Sequence, residues 1–217
     1  MDTSKMTVKV ASAHNISFLA TGGGHGVSQG FANIQNEIDI DLSKFKTVDL
    51  DFKRNQVTVG AGTTYGQFYD PLYDAGKEIR VIGATVGAGV GLLQGLHGYT
   101  SVALISARIV TASAVLFEAS ATNNTELFWA IRGASANFGI ITSATYRVYD
   151  ATNVGQAQNA DFVDPETANR SVWGTLQTFD KTLPAELSVT ISSTYNQTSV
   201  KAAIIVNLVY FGSYDDF

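Results

Sequence analysis

Three consecutive glycines, Gly22, Gly23 and Gly24, followed by His25 and Gly26, place the tightest constraint on this chain. No helix or strand interior suits such a run, because ordering a glycine costs more backbone entropy than ordering any other residue. The run is therefore a loop, and it follows an apolar stretch at residues 16–20 that reads as a short buried strand. Consecutive glycines let backbone approach a ligand closely and let N–H groups converge on an anion. A pyrophosphate would suit such a nest, with His25 beside whatever it carries. Taken alone, the loop reads more simply as a tight turn with an exposed histidine.

The apolar spacing around the loop mixes helix and strand. Residues 7–15 read as the end of a helix. Residues 37–42 (EIDIDL) and 47–52 (TVDLDF) alternate apolar with charged, the pattern of half-buried strands, with Glu37, Asp49 and Asp51 on a solvated face. Asn55 marks a turn into a strand at 56–59 that Gly60-Ala61-Gly62 ends. Phe68, Leu72 and Ala75 predict a helix over 65–75 with Gly76 as its C-cap. A glycine-punctuated stretch at 81–98 precedes strands at 107–111 and 114–118. Asn124 and Thr125 predict the cap of a helix that Gly133 ends. A long strand over 138–149 follows. Pro165 begins a polar connection to a helix around 171–182, before strands at 187–195 and 202–210. Strict βαβ alternation is missing and several adjacent strands read as hairpins, so the fold class is α+β. Phe128, Trp129, Ile131 and Phe138 read as core, since large aromatics on apolar helix faces usually pack.

Composition narrows the function. A formal charge of −5, a pI near 5.1 and no Lys/Arg cluster argue against a nucleic-acid partner. No apolar run approaches the ~20 residues of a membrane span, so no membrane partner is expected. Residues 1–10 are polar and carry Lys5 and Lys9, so no signal peptide is expected. The absence of cysteine removes disulfides, thiolate metal sites and cysteine nucleophiles, and leaves the redox compartment open. His14, His25 and His97 have no metal-ligand spacing, so no metal site is expected. Val27 breaks the G-x-G-x-x-G pattern, Glu78 stands where a P-loop needs Ser or Thr, and no G-x-S-x-G occurs. Four N-x-S/T sequons, at Asn15, Asn123, Asn169 and Asn196, exceed the about two expected by chance and lean slightly towards a secretory history.

The stretches FLATGGGHG (18–26), TVGAGTTYGQFYDPLYDAGKE (58–78), LLQGLHG (92–98) and ELFWAIRGASANFGIITSATYRVY (126–149) occur in one succession. In that order they resemble the FAD-linked oxidases of the berberine-bridge-enzyme-like group, which carry a PCMH-type, vanillyl-alcohol-oxidase-type flavin domain. TLPAELSVTISSTYNQT (182–198) is similar to the start of the substrate domain in fungal members. The resemblance implies a PCMH-type FAD-binding domain of two α/β subdomains over residues 1–150. The beginning of an antiparallel-sheet substrate domain would follow over 151–217. It implies FAD as cofactor, with His25 joined through a ring nitrogen to the flavin. Gly22, Gly23, Gly24 and Gly26 would lie against the pyrophosphate, which Thr85 and Gly87 complete. Asn137, Gly139, Ile140 and Ile141 would be flavin-facing backbone. The partners it implies are a small-molecule substrate of alcohol or carbohydrate type and O2. His14 and His97 are left as structural or surface residues. Members are often secreted, which does not settle localisation, and the oligomeric state stays open.

Four departures from the family stand out. Gly83 occupies the position of a second, cysteine attachment. The family's V-G-x-G-G-x-x-L-G-G-G-x-G loop is several residues shorter after Val86. Val102 replaces a common aspartate, which removes an expected buried carboxylate and its hydrogen bonds. Both ends read short, so the catalytic base is not assigned and an unfinished sheet edge is expected. Two further readings stay open: a non-catalytic remnant with weak or no FAD binding, and a flavin-free carbohydrate-binding protein.

Overall fold

The computed structural model describes residues 3–24, 35–79, 89–179, 183–197 and 201–213. In chain order, α1 (Thr3–Ala13) leads to β1 (Phe18–Thr21), β2 (Ile38–Asp41), β3 (Val48–Asp51) and β4 (Gln56–Gly60). Then come α2 (Tyr69–Asp74), β5 (Lys77–Glu78), α3 (Gln94–His97) and α4 (Thr100–Ala103). The hairpin β6 (Leu104–Val110) and β7 (Leu116–Ser120) precedes α5 (Thr125–Ala134), β8 (Ile140–Arg147) and β9 (Tyr149–Asp150). The chain closes with β10 (Gln158–Pro165), α6 (Asn169–Gln177), β11 (Leu187–Asn196) and β12 (Lys201–Tyr210). Contacts divide it into two compact units, Met1–Val90 with Tyr99–Tyr149, and Gly91–Gly98 with Asp150–Phe217.

The first unit contains a parallel β1–β2 pair and a five-stranded antiparallel sheet in the order β3-β4-β8-β6-β7. Burial alternates along β8: Ile140, Thr142, Ala144 and Tyr146 are buried, and the residues between them are half-buried. The main core joins Val57, Val59, Ile109 and Tyr146 of the sheet to Phe68 and Leu72 of the α2 region and to Phe128 and Ile131 of α5. A smaller cluster, Val8, Ile40, Leu42, Val110, Ala114 and Ile140, ties α1 and β2 to the opening of β8. In the second unit β12 is the central strand of an antiparallel sheet ordered β10-β12-β11, with Val206 and Val209 buried.

Several local expectations are corrected. The helix over 65–75 is broken at Phe68 (φ −132) into a 3-10 turn, Tyr65–Gln67, and α2. Pro71 explains the break: it has no N–H for the Gln67 carbonyl, and its ring would collide there if the helix were continuous. Asn124 stands at the start of α5 but does not cap it. Its φ of 48 is left-handed, and its side-chain N–H donates to the Glu118 carbonyl at 2.8 Å. The helix runs past Gly133 to Ala134. Ala114 (φ 58) makes the hairpin turn, so β7 begins only at Leu116. The strand expected over 138–149 starts at Ile140, after a 3-10 turn. Residues 16–20 give a half-buried rather than buried β1. Strand β10, over residues to which the sequence reading assigned no element before the connection at Pro165, pairs with β12 along its length.

Trp129 and Phe138 are not core: they are 73% and 43% exposed, whereas Phe128 and Ile131 are buried. At 3.6 residues per turn, Trp129 points about 130° away from the face shared by Phe128 and Ile131. The buried carboxylate expected at position 102 is also corrected. Val102 is 64% exposed, so among the described residues the position is not a buried one.

Candidate cofactor site

The parallel pairing of β1 with β2 carries the chain to the mouth of the glycine run. Its register ends at Thr21 opposite Asp41, and the Thr21 carbonyl accepts from Leu42 N–H at 2.9 Å. The Thr21 hydroxyl donates to Asp39 Oδ1 at 2.7 Å, which fixes the last side chain before Gly22. Gly22, Gly23 and Gly24 then stand exposed at the end of the strand. A Cβ on Gly22 would lie 3.2 Å from the Ala61 carbonyl oxygen. Gly24 has a φ of 71 and open space where a Cβ would be. Among the described residues, the N–H groups of these three glycines have no hydrogen-bond partner.

Ala61 links this loop to the sheet. The β4–β8 ladder ends at Gly60 opposite Ser143, and Ala61 N–H then donates to the Thr142 carbonyl at 3.0 Å. Beyond that bond β4 turns away, and Ile140 and Ile141 continue in register with β6 alone. Gly22, Ala61 and the start of β8 therefore meet at one end of the first unit. The turn away needs two glycines. A Cβ on Gly60 would overlap the Phe45 carbonyl, and one on Gly62 the Leu42 carbonyl. From sequence these glycines read only as a strand stop. Their x-G-A-G-x spacing was the available signal for a close backbone approach.

The other expected site residues fall as follows. Asn137 lies in the 3-10 turn before β8, with its side-chain N–H donating to the Ala134 carbonyl at 3.2 Å. Gly139 has a φ of 153, and a Cβ there would overlap the Val110 carbonyl, so packing alone requires glycine. Ile140 packs into the smaller core cluster and Ile141 against the main one, on opposite faces of β8. Only the backbone of these two isoleucines is left to face a ligand. His25, Gly26, Thr85 and Gly87, together with Gly83, lie outside the described residues. His14 is exposed at the end of α1, with Nδ1 2.9 Å from the Val10 carbonyl.

The donor set fits a dinucleotide. Three adjacent glycine N–H groups, unpaired among the described residues and free of side chains, stand at the end of the strand, the kind of donor set that a diphosphate takes. Among the described residues no group of His, Asp or Glu is placed to hold a metal ion, and no helix is long and apolar enough to cross a membrane.

One acid near the loop is electrostatically marked. The Asp41 carboxylate accepts from Ser43 N–H and from Ser43 Oγ, both at 2.8 Å. The backbone bond first, then the hydroxyl bond, hold its pKa below the usual carboxylate value against an opposing desolvation, with a lesser contribution from nearby Lys44. A lowered folded-state pKa contributes stability above the unfolded value of about 3.9 and loses it as pH falls through the folded value. The melting-point gap between the wild type and Asp41→Asn is therefore expected to narrow below that range. A gap that stays constant with pH would remove Asp41 from the account.

The FAD binding domain family matches residues 2–120. The FAD-linked oxidoreductase azaL of Aspergillus niger is 48% identical over 213 residues, covering 94% of this chain and 45% of that protein. The chain spans about half the length of the curated relatives it matches. Among solved structures, BBE-like 1 of Physcomitrella patens superposes with a TM-score of 0.82 at 22% identity, over 98% of this chain and 47% of its own. The xylooligosaccharide oxidase of Myceliophthora thermophila, in complex with xylobiose, gives a TM-score of 0.79 at 24% identity, over 98% and 46%.

Proposed function

We infer that this chain, which belongs to the FAD binding domain family, is the flavin-binding portion of an FAD-dependent oxidoreductase acting on an alcohol-type or carbohydrate-like small molecule. The observation that carries the reading is the triplet of N–H donors at Gly22, Gly23 and Gly24, unpaired among the described residues and backed by Ala61 beside the start of β8. FAD held here would supply the redox chemistry, hydride acceptance from a substrate carbon and electron transfer to O2. The chain's own part is to bind and orient. The glycine run, with Gly26, Thr85 and Gly87, would hold the diphosphate. The backbone at Asn137, Gly139, Ile140 and Ile141 would border the cofactor. His25 would tether the flavin covalently, which prevents its loss. The similarity to the FAD-linked oxidoreductases azaL, tazL and fmqD supports this assignment.

Acid denaturation of the purified protein tests the tether. Visible flavin absorbance is expected to stay with the denatured chain and to be absent from denatured His25→Ala. Colour released by acid would leave binding intact and remove the covalent bond. The shortened loop after Val86 favours a second reading, a domain of this fold that binds FAD weakly or not at all. Under that reading the protein would be colourless and would take up no added FAD.

A further inference from the structure

The cofactor site uses none of the four N-x-S/T sequons. Three lie wholly within the described residues: Asn15-Ile16-Ser17, Asn123-Asn124-Thr125 and Asn169-Arg170-Ser171. The fourth, at Asn196, runs to Thr198, outside them. A folded chain carries an N-linked glycan where the asparagine amide projects into solvent and the fold makes no other use of it. The hydroxyl two residues on is part of the acceptor, so the two side chains must be presented together.

Two of the three sequons meet these conditions poorly. Asn123 Nδ2 already donates to the Glu118 carbonyl at 3.0 Å, and Thr125 is the first residue of α5. Asn169 opens α6, with Ser171 in the same turn. At 3.6 residues per turn, positions two apart in a helix are rotated by about 200°, so the Asn169 amide and the Ser171 hydroxyl leave α6 on opposite sides.

Asn15 meets both conditions. It stands in the connection between Ala13, which ends α1, and Phe18, which begins β1. The backbone alone holds this connection: Ile16 N–H donates to the Ala11 carbonyl, and the Ser17 carbonyl accepts from Ile38 N–H, both at 2.9 Å. Asn15 and Ser17 are both exposed, and among the described residues neither side chain has a hydrogen-bond partner. The φ of 53 at Asn15 accounts for an asparagine there, since Asn tolerates the left-handed region. No contact accounts for a hydroxyl at Ser17, whereas the sequon does. Asn15 precedes β1 and the glycine run follows it, so a glycan would project from the other end of that strand.

We propose that Asn15 is a site of N-linked glycosylation. The donor is a lipid-linked oligosaccharide diphosphate, met in the secretory lumen. A bond forms between Asn15 Nδ2 and C1 of the first sugar, and the bond from C1 to the diphosphate oxygen breaks. The lipid diphosphate leaves, and the amide gives one proton to a base of the transferase. Nothing is oxidised or reduced, and the modification does not depend on flavin.

The 217-residue chain, made in yeast behind a secretion leader that is cleaved off, tests this. Peptide N-glycosidase in heavy-oxygen water converts each glycosylated asparagine to labelled aspartate, which peptide mass spectrometry reads on secreted and cell-retained chain alike. Label is expected at Asn15 in most molecules. Ser17→Ala should abolish it with an unchanged circular dichroism spectrum, and Ser17→Thr should keep it. A wild type unlabelled at Asn15, a label there that survives Ser17→Ala, or its loss in Ser17→Thr would each overturn the proposal.

Discussion

Gly139→Ala is expected to lower the unfolding free energy by roughly 2–6 kcal/mol, combining ~1–3 for backbone strain with ~1–3 for overpacking. The added Cβ would overlap the Val110 carbonyl and approach Ile109, and φ there is 153. Neither neighbour can yield easily. Ile109 and Val110 are almost fully buried, and both are held in the β6–β8 ladder opposite Ile141 and Ile140. Since a domain of this size holds only ~5–15 kcal/mol in total, the variant should be near its folding limit. Gly133→Ala is the control. A Cβ there meets nothing within 4 Å, and alanine in a helix is favoured over glycine by about 1 kcal/mol. Denaturant midpoints should move in opposite directions for the two variants. Equal midpoints would mean that the close approach of Gly139 to Val110 is not a feature of the folded protein.

Gly24→Ala should separate binding from folding. Its Cβ enters open space, so the cost to stability is only that of a left-handed φ, about 1 kcal/mol. If the glycine run holds a diphosphate, the added methyl group stands where the ligand must come close and turns the N–H groups aside. FAD affinity is then expected to fall at least about tenfold, which needs only ~1.4 kcal/mol of lost contact. Fluorescence titration with FAD reads the affinity, and a thermal melt without FAD reads the stability. An affinity unchanged beside a normal melt would place the diphosphate elsewhere.

The strands were the most legible part of the fold. In β2 and β3 aspartates alternate with Ile, Val and Leu, and period-two patterning survives wherever one face is wet. The glycine run was legible as a loop because nothing else tolerates it. What stayed hidden depended on partners distant in sequence. Trp129 sits among apolar neighbours in the chain, yet those neighbours face the core and it does not. Strand β10 has no clear alternation because most of its residues are exposed, and its partner β12 lies some forty residues on. Gly60 and Gly62 are explained by the Phe45 and Leu42 carbonyls, which no local pattern announces. In the site, Gly22 was legible from composition alone. Ala61 and Thr142, which connect it to β8, act through backbone atoms and leave no mark in side-chain identity.

The fold is that of the PCMH-type flavin domain, and the proposed function requires this chain to hold FAD at the end of β1. Flavin content per chain tests it most directly. The purified protein would be incubated with excess FAD, freed of unbound cofactor, and measured by visible absorbance and by its melting point. Flavin approaching one per chain is expected, with melting raised if the cofactor is held reversibly. A ligand at a hundred times its Kd adds about 2.7 kcal/mol of stability. A chain that stays colourless, with a melting point unmoved by FAD, would contradict the account.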